Sequence, residues 1–347
     1  MKINLYSDTQ SIPTEKMREA IARAPVGDEQ KGTDPTVSRL LERVTSLLGK
    51  ESAIFLPTGT MCNAVAVATH CGRGDGIIAE ASAHIMRYEA GGMAAISGVL
   101  PKVIHGKDGQ FSAADVLAHH DEGSRYTPRT TLLAVEQTCN LAGGTVWSVA
   151  ALDEVAQQAK ALGMKTHMDG ARLFNAAVST GISADQHCRG YDSVWVDFTK
   201  GMGAPMGSVL CGSSEFIERA WHWKHRLGGA LRQGGMMAAG CLYALDHYQE
   251  QLEQDHVNAR RFNEGLKSIP QIRVRHAETQ SNIIYFSLTR VNCTPAHFVE
   301  LLMERGLKVG FVGDGLRAVT YNGITSEQID IALKLVREVA LGLDVAH

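Results

Sequence analysis

A chain of 347 residues can bury one large core and a smaller one, and 44% hydrophobic with 20% charged residues is the make-up of an ordinary globular protein. A net charge of −3 argues against a nucleic-acid footprint or a polybasic membrane patch. Seven dispersed cysteines with no Cys-x-x-Cys pair, an N-terminus (residues 1–8) without an apolar signal stretch, and no apolar run near ~20 residues point to reduced thiols and a cytoplasmic, non-membrane protein.

In chain order, the first clear element is a helix opened by Asp34-Pro35, an N-cap followed by proline at the first helical position. Val37, Leu40, Leu41, Val44, Leu47 and Leu48 recur at helical spacing until Gly49 stops the run. Residues 52–56 read as a strand, 57–60 as a turn and 61–70 as a helix. Strands follow at 76–80 and 130–136, a helix at 152–162, and strands at 164–169, 192–198 and 207–211. This alternation predicts an α/β fold with a largely parallel sheet covered by helices on both faces. After about Gln233 a long helical stretch runs towards Leu266. A strand at 282–288, a helix at 295–305, a strand at 316–320 and an amphipathic helix at 325–341 complete the chain. This second part reads as a small α+β domain tied to the large one by the long helix.

In an open parallel sheet, ligands bind beyond the carboxyl ends of the strands. Thr58-Gly59-Thr60 sits at such an end. The glycine allows close backbone approach and the helix N-terminus offers free N–H groups to a phosphate, although turning and capping alone also account for it. His167-Met168-Asp169-Gly170-Ala171-Arg172 ends a strand on a carboxylate that suits a cofactor ring nitrogen or, equally, an N-cap. Phe198-Thr199-Lys200-Gly201-Met202-Gly203-Ala204-Pro205 exposes a lysine in a confined turn of small residues. Partial desolvation beside a cationic neighbour would make it an amine nucleophile; a solvated loop lysine is the alternative. His222 and His225 have the i, i+3 spacing of a metal pair. Trp221 and Trp223 indicate packing instead, and no third ligand completes a set, so no metal is expected.

A phosphate turn, a ring-nitrogen carboxylate and a buried lysine, in that order on consecutive sheet ends, make up a site for pyridoxal 5′-phosphate (PLP). At these residues, and at Gly32-Thr33-Asp34-Pro35-Thr36-Val37, Glu89-Ala90-Gly91-Gly92 and Leu227-Gly228-Gly229-Ala230-Leu231-Arg232-Gln233, the sequence resembles the threonine aldolase family of fold-type I PLP enzymes, over nearly the whole chain. The resemblance implies an aminotransferase-like α/β fold, with a large PLP-binding domain and N-terminal arm over residues 1–250 and a small α+β domain over 251–347. It implies Lys200 as the lysine that carries PLP, Asp169 as partner of the pyridine nitrogen, Thr58, Gly59 and Thr60 as the phosphate loop, and His84 as the histidine on the ring, with Glu89 near it. Ser7, Arg172 and Arg317 match the groups that hold the substrate carboxylate, Arg172 also belonging to the cofactor site. Arg232 matches a basic residue that approaches the phosphate from a neighbouring subunit, so a homo-oligomer, a dimer of dimers, is expected. The implied activity is retro-aldol cleavage of an L-3-hydroxy-amino acid, threonine, allo-threonine or a relative, to glycine and an aldehyde. Lys200, His84 and Asp169 are its catalytic residues, and His84 or a water it positions takes the β-hydroxyl proton. A β-eliminating lyase, a racemase or a transaminase would share Lys200 and Asp169 and differ in products. A non-catalytic PLP-binding protein would not need a double arginine clamp.

Two departures from the family bear on the substrate. Cys139 stands where the family usually has a histidine that contacts the substrate hydroxyl, and Lys31 stands where it usually has tyrosine. A weaker hydrogen-bond partner and an added cation point to a β-substituent bulkier than the methyl of threonine, or anionic. Turnover of threonine, phenylserine and 3-hydroxyaspartate checks this: one of the latter two is expected to be preferred, and a clear preference for threonine counts against it.

Overall fold

The structure is a computed structural model that describes residues 3–289, 291–312 and 315–343; the outer limits of the predicted two-part division, residues 1 and 347, lie outside these. The chain enters on β1 (Ile3–Asn4) and continues to α1 (Glu15–Ala22) and α2 (Pro35–Leu48). α2 starts and stops where the sequence predicts. Asp34 Oδ1 accepts the Thr36 and Val37 amides at 3.0 Å each, and Gly49 closes the helix at φ 59°. The other oxygen of Asp34 accepts the Gly27 and Gly235 amides at 3.1 and 2.9 Å, so one cap also ties down a distant part of the chain.

Seven strands form the main sheet: β2 (Ser52–Leu56), β3 (Gly76–Glu80), β4 (Leu100–Ile104), β5 (Thr130–Glu136), β6 (Lys165–Gly170), β7 (Ser193–Asp197) and β8 (Ser208–Gly212), in the order β2-β8-β7-β6-β5-β3-β4. Among them run α3 (Gly59–His70), α4 (His84–Arg87), α5 (Ala113–His119), α6 (Val149–Ala161), α7 (Leu173–Thr180) and α8 (Ala184–Cys188). Every residue of β3, β5, β7 and β8 is buried, as expected of strands covered on both faces. β4, which the apolar pattern does not reveal, is the edge strand, with Leu100 and Pro101 exposed.

β8 is the exception to parallel order, running antiparallel to both β7 and β2. The short loop between β7 and β8 leaves no room for a helical crossover, so the chain turns straight back. Two reversals restore direction: β2 runs the same way as β7, and Leu56 and Asp197 both pair with Ser208. The turn after β2 and the loop after β7 therefore open at one sheet edge. The ends of β5 and β6 lie on the same edge, where Glu136 pairs with Asp169 and Asp169 with Trp195.

After α9 (Ser214–Arg226), the long α10 (Gly235–Lys267) serves two cores. Its Ala238, Cys241, Leu242 and Leu252 join Leu40, Val44, Phe55 and Phe198 beneath the main sheet, while Ala259, Phe262 and Leu266 belong to a second cluster. That second core is built with β9 (Ile272–Val274), β10 (Ile283–Leu288), α11 (Pro295–Glu304), β11 (Leu307–Lys308), β12 (Gly310–Val312), β13 (Gly315–Val319) and α12 (Ser326–Leu341). Its antiparallel sheet has the order β12-β13-β10-β9. β1 pairs in parallel with β11, and Ile3 and Leu5 are buried in this core, so the chain's beginning completes its end. Among the described residues, no helix is long and apolar enough to cross a membrane.

A buried ion pair fixes the loop between α9 and α10. The ammonium of Lys224, wholly buried, donates to Glu29. The second oxygen of Glu29 accepts the Leu231 amide at 2.9 Å, and the Glu29 amide donates to Arg232 O at 2.8 Å. Removing one partner of such a pair strands a buried charge, which costs about 3–5 kcal/mol. Glu29→Ala is therefore expected to lower the urea unfolding midpoint by that equivalent, measured by circular dichroism; a shift within error would show the pair to be dispensable.

Candidate active site

The loops at the shared sheet edge, the N-terminal segment and the second sheet enclose a pocket of about 580 Å³. Nine of the twelve residues predicted for the site line it: Ser7, Thr58, Gly59, Thr60, His84, Asp169, Arg172, Lys200 and Arg317. The amine and the carboxylate on which the prediction turns, Lys200 and Asp169, thus open into one space.

Lys200 Nζ donates to Asp197 Oδ2 at 2.6 Å. Asp197 also accepts from Thr199 Oγ1 at 3.1 Å and Ser208 Oγ at 3.0 Å. The neighbour in hydrogen-bond contact with the lysine is thus an anion, because β7 ends on a carboxylate three residues before it. The loop is held from outside by Ser11 Oγ, which donates to Lys200 O at 2.7 Å, and by the Gln251 side-chain amide on Gly201 O.

The Thr58-Gly59-Thr60 turn starts α3, and Thr58 Oγ1 caps it by accepting the Met61 amide at 3.2 Å. The Gly59 and Thr60 amides belong to the first turn, where intrahelical partners are lacking. A Cβ on Gly59 would meet the Trp195 ring at 2.2 Å. The glycine is required by that indole, a different reason from the ligand approach the sequence suggests.

Asp169 is not the N-cap of α7; that position is Arg172. Its Oδ1 accepts the Ala171 amide at 3.1 Å and its Oδ2 accepts Asn63 Nδ2 at 2.9 Å. Glu136, on the neighbouring strand, is pushed well above the carboxylate range by burial and then by the Asp169 charge, with Arg172 and the Asn140 amide opposing. One step away, His84 Nδ1 lies 2.8 Å from Glu89 Oε1, which Asn63 Nδ2 also meets at 2.7 Å. Burial raises the Glu89 pKa.

Arg172 is gripped by Asp8 through Nε at 2.8 Å and Nη2 at 2.7 Å, both side chains buried. Asn282 Nδ2 donates to the same carboxylate at 3.0 Å. Burial pushes the Asp8 pKa up, yet the Arg172 charge and these hydrogen bonds outweigh it and hold Asp8 at about 2. One edge of the Arg172 fork is thereby taken. Arg317, on β13, donates to Asn140 Oδ1 at 3.3 Å and to Tyr6 O at 3.2 Å.

Three predicted residues do not line this pocket. Cys139 is buried with its thiol on Gly109 O and Glu136 O, 3.4 Å each, and its neighbour Asn140 faces the pocket in its place. Burial, with Glu136 nearby, pushes that thiol up. Lys31 is exposed on the turn that Glu29 anchors, and Arg232, also exposed, bonds Asp28 Oδ2 at 3.1 Å. The expected substrate contacts from Cys139 and Lys31 are therefore not made in the chain's own pocket, and Arg232, expected at a neighbouring copy's phosphate, does not line it either.

Other residues of the site escape the sequence reading. Asp197 ends a strand as Asp169 does, and the same rule would have found it. Asp8 sits in Ser7-Asp8-Thr9, where nothing local marks it as a partner for residue 172. Asn63 lies inside a helix and carries no signal.

Known proteins can be set beside this geometry. Residues 4–289 match the family described as beta-eliminating lyase. The chain is 36% identical over 345 residues to low-specificity L-threonine aldolase 1 of Arabidopsis thaliana, covering 98% of this chain and 96% of that one. The low specificity L-threonine aldolase of Escherichia coli strain K12 is 35% identical over 328 residues, 94% and 96% of the two chains. Threonine aldolase from Leishmania major superposes with a TM-score of 0.83 at 19% identity, over 97% and 99% of the two chains, a likeness of fold.

The Asp8–Arg172 pair has a pH signature. Its folded pKa lies below the ordinary value, so its stabilisation is complete above about pH 5 and is lost as pH falls through 3.8 towards 2, roughly 2 kcal/mol in all. Asp8→Asn is expected to lower stability at neutral pH and to flatten its fall between about pH 5 and 2, followed by acid titration with circular dichroism. A variant as acid-sensitive as the parent would remove Asp8 as the source.

Proposed function

The chain belongs to the beta-eliminating lyase family and, within it, to the threonine aldolases, PLP-dependent carbon–carbon lyases, and from this we propose that it cleaves an L-3-hydroxy-amino acid, threonine, allo-threonine or a close relative, to glycine and an aldehyde. The observation that carries the reading is the common pocket of Lys200, Asp169, His84 and Arg317.

The residues fit PLP by their donor chemistry: an amine at Lys200, a carboxylate at Asp169 already oriented by two N–H donors, helix-start amides and hydroxyls at Thr58, Gly59 and Thr60, and an imidazole wall at His84. Arg172 lies beside them. When bound, PLP supplies an aldehyde that condenses with amines and a pyridinium ring that takes up the electron pair left at Cα. The protein supplies orientation and proton handling. Asp197 keeps Lys200 Nζ at the pocket floor. Because Asp8 occupies one edge of Arg172, Arg317 carries the larger share of the grip on the substrate carboxylate, with Ser7 beside it. His84, engaged at Nδ1 by Glu89, turns its other nitrogen to the β-hydroxyl and takes that proton as the Cα–Cβ bond breaks.

We also assign Arg232 and Lys31 to a neighbouring copy's pocket, in a dimer of dimers. Their support is exposure on one anchored ridge, with Glu29 bonded to the Arg232 segment. The unpaired state of all seven cysteines agrees with a cytoplasmic setting. The division into a PLP-binding part over residues 1–250 and a small part over 251–347 falls within α10, which feeds both cores.

Incubation of the purified enzyme and PLP with allo-threonine is expected to release glycine and acetaldehyde; ammonia with a keto acid would favour β-elimination. Lys200→Ala is expected to abolish retention of the cofactor after borohydride reduction. Arg317→Ala is expected to raise KM by roughly 10- to 100-fold, the loss of charged hydrogen bonds of about 1.5–3 kcal/mol, with the bound-cofactor spectrum unchanged.

A further inference from the structure

Asn63 lies one turn into α3, with no exposed surface. Its Oδ1 accepts two hydrogen bonds, from Trp195 Nε1 at 2.7 Å and His167 Nε2 at 3.0 Å. An indole N–H only donates, which settles which end of the amide is oxygen. His167 must then carry its proton on Nε2, so its Nδ1 accepts the Ser193 hydroxyl at 2.8 Å. Ser193 Oγ in turn accepts His70 Nε2–H at 2.8 Å. Burial holds both histidines neutral, His167 at about 3 and His70 at about 4, so each has one proton to give and the chain has one direction.

With its oxygen occupied, Asn63 aims both Nδ2 protons at carboxylates: Glu89 Oε1 at 2.7 Å and Asp169 Oδ2 at 2.9 Å. Glu89 Oε1 is also the partner of His84 Nδ1 at 2.8 Å. Atoms of His84, Glu89 and Asp169 lie within 4.8 Å of one another, a spacing that resembles a cation site. The amide already stands between the two carboxylates and gives each a proton to accept.

We propose that Asn63 is a positioning residue shared by both ends of the reaction. Through Glu89 it fixes His84 with the proton on Nδ1 and Nε2 bare. Through Asp169 it holds the carboxylate in place for the cofactor nitrogen. The proposal rests on the reading of His84 as base and Asp169 as cofactor partner given above.

Asn63→Asp tests it, because the variant keeps an oxygen for Trp195 and His167 but replaces both donors with an acceptor. In the holoenzyme kcat is expected to fall roughly 100-fold with KM within about threefold, the mark of a group that serves the chemical step. The apoenzyme's affinity for PLP, titrated by absorbance, is expected to fall at least ~10-fold, since the orienter of its anionic partner is lost. A variant within about twofold of the parent in both, or one whose loss lies in KM and not kcat, overturns the proposal. Should the variant not fold, neutron diffraction from the parent holoenzyme decides: deuterium on His84 Nδ1 and two deuterons on Asn63 Nδ2 facing Glu89 and Asp169 support it, and deuterium on His84 Nε2 or a reversed amide overturns it. A parent that neither binds PLP nor releases glycine overturns the proposed function, and this inference with it, so the two failures are distinguishable.

Discussion

Asp8 meets Arg172 from a segment that belongs to the second core, while Arg172 follows a strand of the main sheet, and Asn282, which completes the carboxylate's partners, precedes β10. Three parts of the chain therefore converge on one buried charge. An uncompensated ion there would be costly, so the partners must be held together, and the pair's effect is geometric as well as energetic. Residues on either side of Asp8 carry that geometry outwards: Tyr6 O accepts from Arg317 and Ser11 donates to Lys200 O. The two arginines and the lysine loop of the pocket all take their places from six residues near the N-terminus.

The same sheet edge gathers five acids, and the fold treats them differently. Asp8 and Asp197 are matched by the cations Arg172 and Lys200. Asp169 has no cation in hydrogen-bond contact among the described residues and is served by the Ala171 amide and Asn63 instead. Glu89 shares Asn63 and His84. Glu136 has too little to offset burial and the adjacent anion, and is driven towards its neutral form. Matched charges set positions, while the amide-held carboxylate remains available to a cationic ligand.

Much of this was legible in the sequence. Apolar runs with turn residues located the main strands other than the edge strand β4, and the rule that ligands gather at carboxyl ends of parallel strands located Lys200, Asp169 and Thr58. What could not be read follows from physics. A fully buried strand looks alike in either direction, so the reversal of β8 was hidden. The steric need for Gly59 was hidden, since no local pattern places the Trp195 ring over it. Asp197, three residues before Lys200 and bonded to it, is a partner that the small-residue turn does not announce. The motif that holds Lys31 does not say whether that residue faces its own pocket or another's, and Cys139 shows that a residue at a motif position can point beneath the surface. Asn63 was invisible because its value comes from four partners distant in sequence.

The pairing of β1 with β11 bears on how the polypeptide matures. Synthesis delivers Ile3 and Leu5 first, yet Leu307 opposite Ile3, and the carbonyl of Gly306 that accepts the Ile3 amide, leave the ribosome some three hundred residues later. The main sheet can close during translation, as domains ordinarily do when their own strands are complete. The leading segment must wait, and with it Asp8. The tethering of the segment that carries Asp8 to Arg172 thus cannot be completed until the last fifty residues, which include Leu307 and Lys308, have been made.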